Sequence, residues 1–238
     1  MLPFHLALPQ SGHLDAVFYI FSYLRKKHNS EMVYDPTEVD FDRADFPKED
    51  WNYSIYGDKH LKEVLPRNIP CPLGSKSITM RVFVGSNHAG DQVTRRSRTE
   101  FIVFFNSAPI YWSSKKQGSC ETSTNGSDMV AMKQACEFVR GLRYKLRMMS
   151  IPVDEPSFMF GDNQSVLANT ANPGSTIKKK SQSIFFHFIR DRCARDEWRT
   201  AYAKTCENIA DLLKKFLPRG EKRWRFVEKL LHWLGVKG

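Results

Sequence analysis

Three aspartates of this 238-residue chain stand where carboxylates can do metal chemistry: Asp128, Asp162 and Asp211. Asp162 directly follows the apolar run 157–161, so it lies at the C-terminal end of a short strand. Asp128 falls in the first turn of a long amphipathic stretch, in phase with Met132 and Ala135, which points it toward a sheet edge. Asp211, in Asn208-Ile209-Ala210-Asp211-Leu212-Leu213, falls at the start of a late helix. Clustered carboxylates can hold two Mg²⁺ ions ~4 Å apart, one activating water and one stabilising a leaving oxygen. Mg²⁺ takes oxygen ligands and keeps several waters, so carboxylates on rigid elements suffice. A further strand, 78–85, ends at Gly85, a place suited to another carboxylate that here has no side chain. Each aspartate also has an ordinary role open to it. Asp128 or Asp211 could offset a helix dipole, and Asp162 could close a strand through an Asx turn.

The elements that must position these residues are legible in the hydrophobic pattern. Runs 78–85, 99–106 and 110–114 read as strands joined by connections too short for parallel crossovers, hence an antiparallel meander. A long helix follows over 126–149, its apolar stripe formed by Met132, Ala135, Val139, Leu142, Leu146 and Met149. Then come a strand at 157–161, helices from 163 and over 184–195, a strand near 198–204, and helices at 207–216 and 221–234. The order predicts an α/β fold, a mixed sheet with helices on its faces. Upstream, 11–28 reads as a helix with Leu14, Val17, Phe18, Phe21 and Leu24 at helical spacing. Residues 35–77, rich in Asp, Pro and aromatics without a period, read as an irregular connector. In the last helix Trp224, Val227, Leu230, Leu231 and Leu234 share a face, which is expected to pack on its own domain.

Composition narrows the function class. A hydrophobic fraction of 41% is ample for a core and excludes global disorder. The net charge of +10 is uneven: residues 1–75 sum to −3, 76–172 to +4 and 173–238 to +9. A basic C-terminal quarter favours a polyanion, nucleic acid before membrane, beside the plain alternative of a solvated basic face. The five cysteines include no CxxC pair, which argues for reduced thiols and against a disulfide framework or a zinc site. No apolar run approaches the ~20 residues of a membrane span, and the N-terminus lacks the basic start of a signal peptide. A soluble protein inside the cell, cytoplasmic or nuclear, is expected.

Five segments carry a family resemblance, in order, over residues 78–217. His88-Ala89-Gly90-Asp91-Gln92-Val93-Thr94-Arg95-Arg96-Ser97 resembles the "AGD…RRS" segment that opens the ribonuclease H domain of copia-type LTR retrotransposon Pol polyproteins, most like those of diatoms. Pro109-Ile110-Tyr111-Trp112-Ser113-Ser114-Lys115-Lys116-Gln117 resembles that domain's "PISWSSKKQ" strand, and Gly161-Asp162-Asn163-Gln164-Ser165 its "CDNQS" turn. Phe186-His187-Phe188-Ile189-Arg190-Asp191 resembles "YHFIRE", and the segment around Asp211 resembles "QLADIFTK". Residues 5–24 are similar to the tail of the reverse transcriptase that precedes this domain. The resemblance therefore implies a division into 1–34 (helical remnant of that tail), 35–77 (connector), 78–217 (ribonuclease H-like domain) and 218–238 (C-terminal amphipathic helix). It implies a five-stranded mixed sheet with flanking helices, hydrolysis of the RNA strand of RNA/DNA hybrids, two Mg²⁺ ions and four acids. A complete reverse transcriptase is not expected.

Against that pattern the chain departs at the acids. The family's first acid falls on Gly85, and its second, a glutamate, on Asp128, one methylene shorter; Asp162 and Asp211 match the third and fourth. Losing the shared metal ligand weakens Mg²⁺ binding, and a misplacement of ~1 Å alone can cost ~100-fold in rate. A glutamate also stands at 100, where the family's strand usually has glycine. Impaired cleavage is the expectation. The alternatives are a non-catalytic module binding nucleic acid or protein, or a functionless fragment of a decayed element. For nucleic-acid contact the candidates are Asn163, Gln164 and Ser165 beside the acids, with Lys115, Lys116, Lys178, Lys179 and Lys180 for phosphates; the lysine triplet could equally be a solvated loop.

Overall fold

The computed structural model describes residues 11–26, 28–57, 63–74, 76–91, 93–177, 180–214, 221–230 and 232–233. In chain order its elements are α1 (Ser11–Lys26), β1 (Ser30–Glu31), β2 (Met80–Asn87), β3 (Arg98–Phe105), β4 (Ala108–Lys116), α2 (Thr124–Met148), β5 (Ser157–Gly161), α3 (Gln164–Ala171), α4 (Ser183–Ala194), β6 (Trp198–Tyr202), α5 (Asp211–Lys214), α6 (Glu221–Glu228) and β7 (His232–Trp233). Two compact units result, one within residues 34–218 and one joining the described parts of 1–33 and 219–238.

The larger unit is the expected α/β fold. Its five-stranded sheet has the order β4-β3-β2-β5-β6. The meander β2-β3-β4 is antiparallel, and β5 and β6 run parallel to β2, so the sheet is mixed. Alternation decides which face is which. Met80, Val82 and Val84 of β2, with Phe101 and Val103 of β3, pack against Met132, Ala135, Cys136 and Val139 of α2. Ile189 of α4 and Val166 of α3 close the same core. At the C-terminal end of β5 a side chain at Gly161 would press on Leu167 at 3.3 Å and Met132 at 3.5 Å, so glycine lets α3 and α2 approach the strand end.

Residues of the connector fold onto the sheet. Phe46 is 1% exposed and clusters with Phe41, Phe158, Phe160 and Ala201. Its ring meets those of Phe158 and Phe160 edge-on, both at 4.9 Å. Farther on, Trp51 and Tyr56 are buried, Tyr56 shares a 2.6 Å hydrogen bond with His187 of α4, and Arg190 lies over both rings. Glu63 then takes two arginines of α2, Arg143 and Arg147. These aromatics lack a period because they belong to no regular element; they are sited by burial.

Three expectations need correction. Helix α2 starts at Thr124, capped by the Ser123 side chain accepting from the Gly126 amide, so Asp128 sits in the second turn, beyond the reach of an N-terminal dipole role. The late helix expected over 207–216 is, among described residues, the single turn α5, because Asn208 instead bonds the Val84 carbonyl and the Ala210 amide. The last helix ends at Glu228, and His232–Trp233 pair antiparallel with Ser30–Glu31. Among the described side chains of α6 Phe226 is buried, whereas Trp224 of the expected stripe is 49% exposed. The apolar stripe of α1 is likewise exposed at Leu14, Phe18, Phe21 and Leu24.

Candidate functional site

Position 86 alternates with 85, so Ser86 shares the face of Val84 and reaches α2. Its hydroxyl donates to Asp128 Oδ1 at 2.5 Å. From the other side Asn163 Nδ2 donates to Asp128 Oδ2 at 2.8 Å. Both oxygens of this carboxylate therefore accept from neutral protein groups. Asn163 is also the N-cap of α3, its Oδ1 accepting from the amides of Ser165 and Val166. The Asx role considered for Asp162 is filled by its neighbour.

Asp128 and Asp162 come together. With Gly85, Val84, Met132, Gly161 and Asn163 they line a small cleft at the strand ends. Above it opens a groove of about 510 Å³ bounded by Ser86, His88, Thr124, Asp128, Asp162, Asn163, Gln164, Ser165 and Tyr202. The three polar residues that follow Asp162 thus sit on the groove wall. His88 enters the sequence only as the first residue of the "AGD…RRS" segment, and Tyr202 carries no signal of its own; the ends of β2 and β6 bring them here. His88 Nδ1 is fixed by Ser127 at 2.7 Å, and Ser127 by Ser97 at 2.8 Å. Asp211 does not line the groove. It is fully buried, on a turn of helix that lies against β2, β3 and β4.

Beside the groove, the loop from β2 to β3 is braced by Asp91. Its carboxylate accepts from the amides of Val93 and Thr94, the Thr94 hydroxyl and, at 3.0 Å, Lys116 Nζ. The Thr94 hydroxyl first, then the Lys116 ammonium, hold the Asp91 carboxyl far below its ordinary value. Arg95, at φ 54°, and Arg96 are exposed on this loop, and Lys115 and Lys116 are exposed at the adjoining end of β4. The register pairs Lys116 with Arg98 and the Gln117 amide bonds the Ser97 carbonyl, so these cations form one basic corner at the groove's end of the sheet. Arg95 and Arg96 are two cations of that corner which the charge sums alone did not single out. Lys180 is exposed in a short 3-10 turn, Lys180–Gln182; Lys178 and Lys179 lie outside the described residues.

The side chains present do not fit the metal pair that the resemblance implies. Gly85 supplies no donor, both Asp128 oxygens accept hydrogen bonds from neutral groups, and Asp211 is not among the residues that line the groove. Among the described residues no group of three or more His, Cys, Asp or Glu could hold a metal ion. No helix among them is long and apolar enough to cross a membrane.

No protein-family model matches the chain. Curated homologues are retrovirus-related Pol polyproteins of copia-type transposons. The chain is 26% identical over 143 residues to that of transposon RE1 of Arabidopsis thaliana, covering 60% of the chain and 10% of the relative. It is 25% identical over 143 residues to that of RE2 from the same plant, with the same coverage. For transposon TNT 1-94 of Nicotiana tabacum the figures are 24% over 148 residues, 62% and 11%. The chain thus spans about a tenth of the length of the curated relatives it matches. Among solved structures it resembles the N-terminal RNase H domain of rv2228c from Mycobacterium tuberculosis, with TM-score 0.42, 10% identity, and coverage of 58% of this chain and 91% of that one. It also resembles LC11-RNase H1 in complex with an RNA/DNA hybrid, at TM-score 0.42 and 10% identity over 55% and 88% of the two chains.

Proposed function

We propose that this ribonuclease H-like domain, related to retrotransposon Pol polyproteins, binds nucleic acid at the strand-end groove and has lost efficient hybrid cleavage. The observation that carries the reading is Asp128: beside a residue 85 without a side chain, its two oxygens accept hydrogen bonds from Ser86 and Asn163. A carboxylate used in this way ties β2, α2 and α3 together, and with no side chain at residue 85 the Mg²⁺ that the family's chemistry requires lacks a shared ligand beside it. What remains suits binding. Gln164, Ser165, Thr124 and His88 offer neutral hydrogen-bond partners in the groove, and Tyr202, 46% exposed, offers a ring face. The cations of the basic corner lie alongside, where phosphates of a bound strand can be neutralised.

The test is a hybrid assay on the full chain. Labelled RNA/DNA hybrid incubated with Mg²⁺ or Mn²⁺ should stay intact, while fluorescence anisotropy reports binding that weakens steeply with salt. Robust cleavage abolished by Asp162→Asn would overturn the loss of activity. Binding that is indifferent to salt would overturn the basic corner as the contact surface.

A further inference from the structure

Gly85 and Glu100 are register partners across the antiparallel pair β2 and β3. Directly opposed residues of such a pair project from the same face, with Cβ positions roughly 4.5–5.5 Å apart. Glu100 is fully buried, and Gly85 is buried as well. The Glu100 carboxylate turns outward along the sheet to β4, where its register partner Ser114 donates a hydroxyl to Oε1 at 3.2 Å. Arg98 Nη1 donates to the Ser114 carbonyl at 3.0 Å and, more weakly, to its hydroxyl at 3.4 Å, so the residue that donates to Glu100 is itself held in place. Neither the small cleft nor the groove is lined by Glu100.

We propose that Glu100 is the residue that keeps an acid out of position 85. This strand pair carries one buried carboxylate of its own, Glu100 on β3, and α5, which lies against β2, β3 and β4, adds the fully buried Asp211. An aspartate at 85 would stand opposite Glu100 on the same face, two like charges within a few ångströms and both out of water. Repulsion between opposed like charges in a sheet is unfavourable even when exposed, and burial removes the screening that would soften it. Glu100 is compatible with the fold because residue 85 is glycine. Position 85 can regain an acid only if position 100 gives one up. Glu100 is thus a positioning residue for the site, and the two positions must change together.

The experiment is a double-mutant cycle on the full chain: Gly85→Asp, Glu100→Gly and the pair, with Gly85→Asn as the neutral isostere. Thermal midpoints are measured at pH 7 and pH 4. Gly85→Asp should melt lowest at pH 7 or fail to fold, Gly85→Asn should melt clearly higher, and the double variant should recover most of the loss. The deficit of Gly85→Asp should shrink at pH 4, where one carboxyl takes a proton. If the single losses simply add in the double variant, or if Gly85→Asp melts with Gly85→Asn at pH 7, the proposal is wrong. Titration with Mn²⁺ alone gives the second readout, and only this one rests on reading position 85 as the family's first acid position. The double variant should bind Mn²⁺ at least ~10-fold more tightly than the parent. A cycle that is coupled in stability with unchanged Mn²⁺ binding upholds the proposal and counts against that reading instead.

Discussion

Asn163 and Asp128 hold one another in place where α2 meets α3: one amide side chain caps α3 through its oxygen and supplies its nitrogen to the carboxylate at 2.8 Å. Truncating Asn163 to Ala should therefore cost more than an ordinary cap. Loss of the cap accounts for about 0.5–2 kcal/mol, and loss of the hydrogen bond to the half-buried Asp128 carboxylate adds about 0.5–1.5 kcal/mol. Asn163→Asp separates the two parts. It keeps the capping acceptor and sets a second carboxylate against Asp128, where two like charges repel. That penalty is present at pH 7 and fades as the pH falls toward 4. Urea denaturation across this range should show the variant gaining on the parent under acid. Equal stability at pH 7 would mean that the Asn163–Asp128 contact is not made in solution.

Phe46 tests whether the connector belongs energetically to the sheet it covers. Its ring is 1% exposed and packs on Phe158 and Phe160. Phe46→Ala should destabilise the larger unit by about 3–5 kcal/mol, the range for truncating a buried aromatic. A change below about 1 kcal/mol in urea unfolding, monitored by far-UV circular dichroism, would show that this segment leaves the sheet in solution.

What the sequence reveals, and what it hides, follows from how local each signal is. Strands β2 to β5 and helix α2 announce themselves through their own alternation or periodicity, and the observed ends lie within a few residues of the expected ones. Asp128 and Asp162 sit on those elements and meet in one cleft. Their partners were harder to see. That Ser86 bonds Asp128 depends on which face of β2 meets α2, and the pairing of Glu100 with Gly85 depends on strand register. The exposed stripe of α1 and the pairing of β7 with β1 mislead for a related reason: amphipathic spacing states which residues could be covered, and only tertiary structure states what covers them.

Glu63 offers a test by pH. Burial pushes its carboxyl upward, but the hydrogen bonds of Arg147 and Arg143, together with their charges, outweigh that and hold it below its ordinary value. The folded pKa is thus lower than the unfolded one, near 4.3. The linked stability is fully present above that pH and is lost as the pH falls through the folded value. Glu63→Gln should lack this acid-side loss. Glu63→Ala should cost about 3–5 kcal/mol at pH 7, because it leaves the Arg143 guanidinium, 2% exposed, as a buried charge without its carboxylate. If Glu63→Ala unfolds at the same urea concentration as the parent, this ion-pair network is not formed.

Lys115 and Lys116 are neighbours with different obligations, and nucleic-acid binding should tell them apart. Lys116 is already spent on Asp91, whose side chain is only 9% exposed, at 3.0 Å. Moving its ammonium to a phosphate would leave that carboxylate with hydrogen bonds but without its cation. Lys115 lies on the opposite face of the same strand end and is exposed. A lysine that neutralises a phosphate contributes about one unit to the slope of log binding constant against log salt. Lys115→Ala should therefore lower that slope by about 1, and Arg96→Ala should do the same if the phosphate path crosses the β2–β3 loop. Lys116→Ala should change the slope little in itself. Asp91→Asn should raise the slope by releasing Lys116, while loosening the loop that Asp91 braces. Anisotropy titrations with one duplex at several salt concentrations measure all four variants. Equal losses from Lys115→Ala and Lys116→Ala would show that the Asp91 pair gives way on binding and that both lysines contact the polyanion.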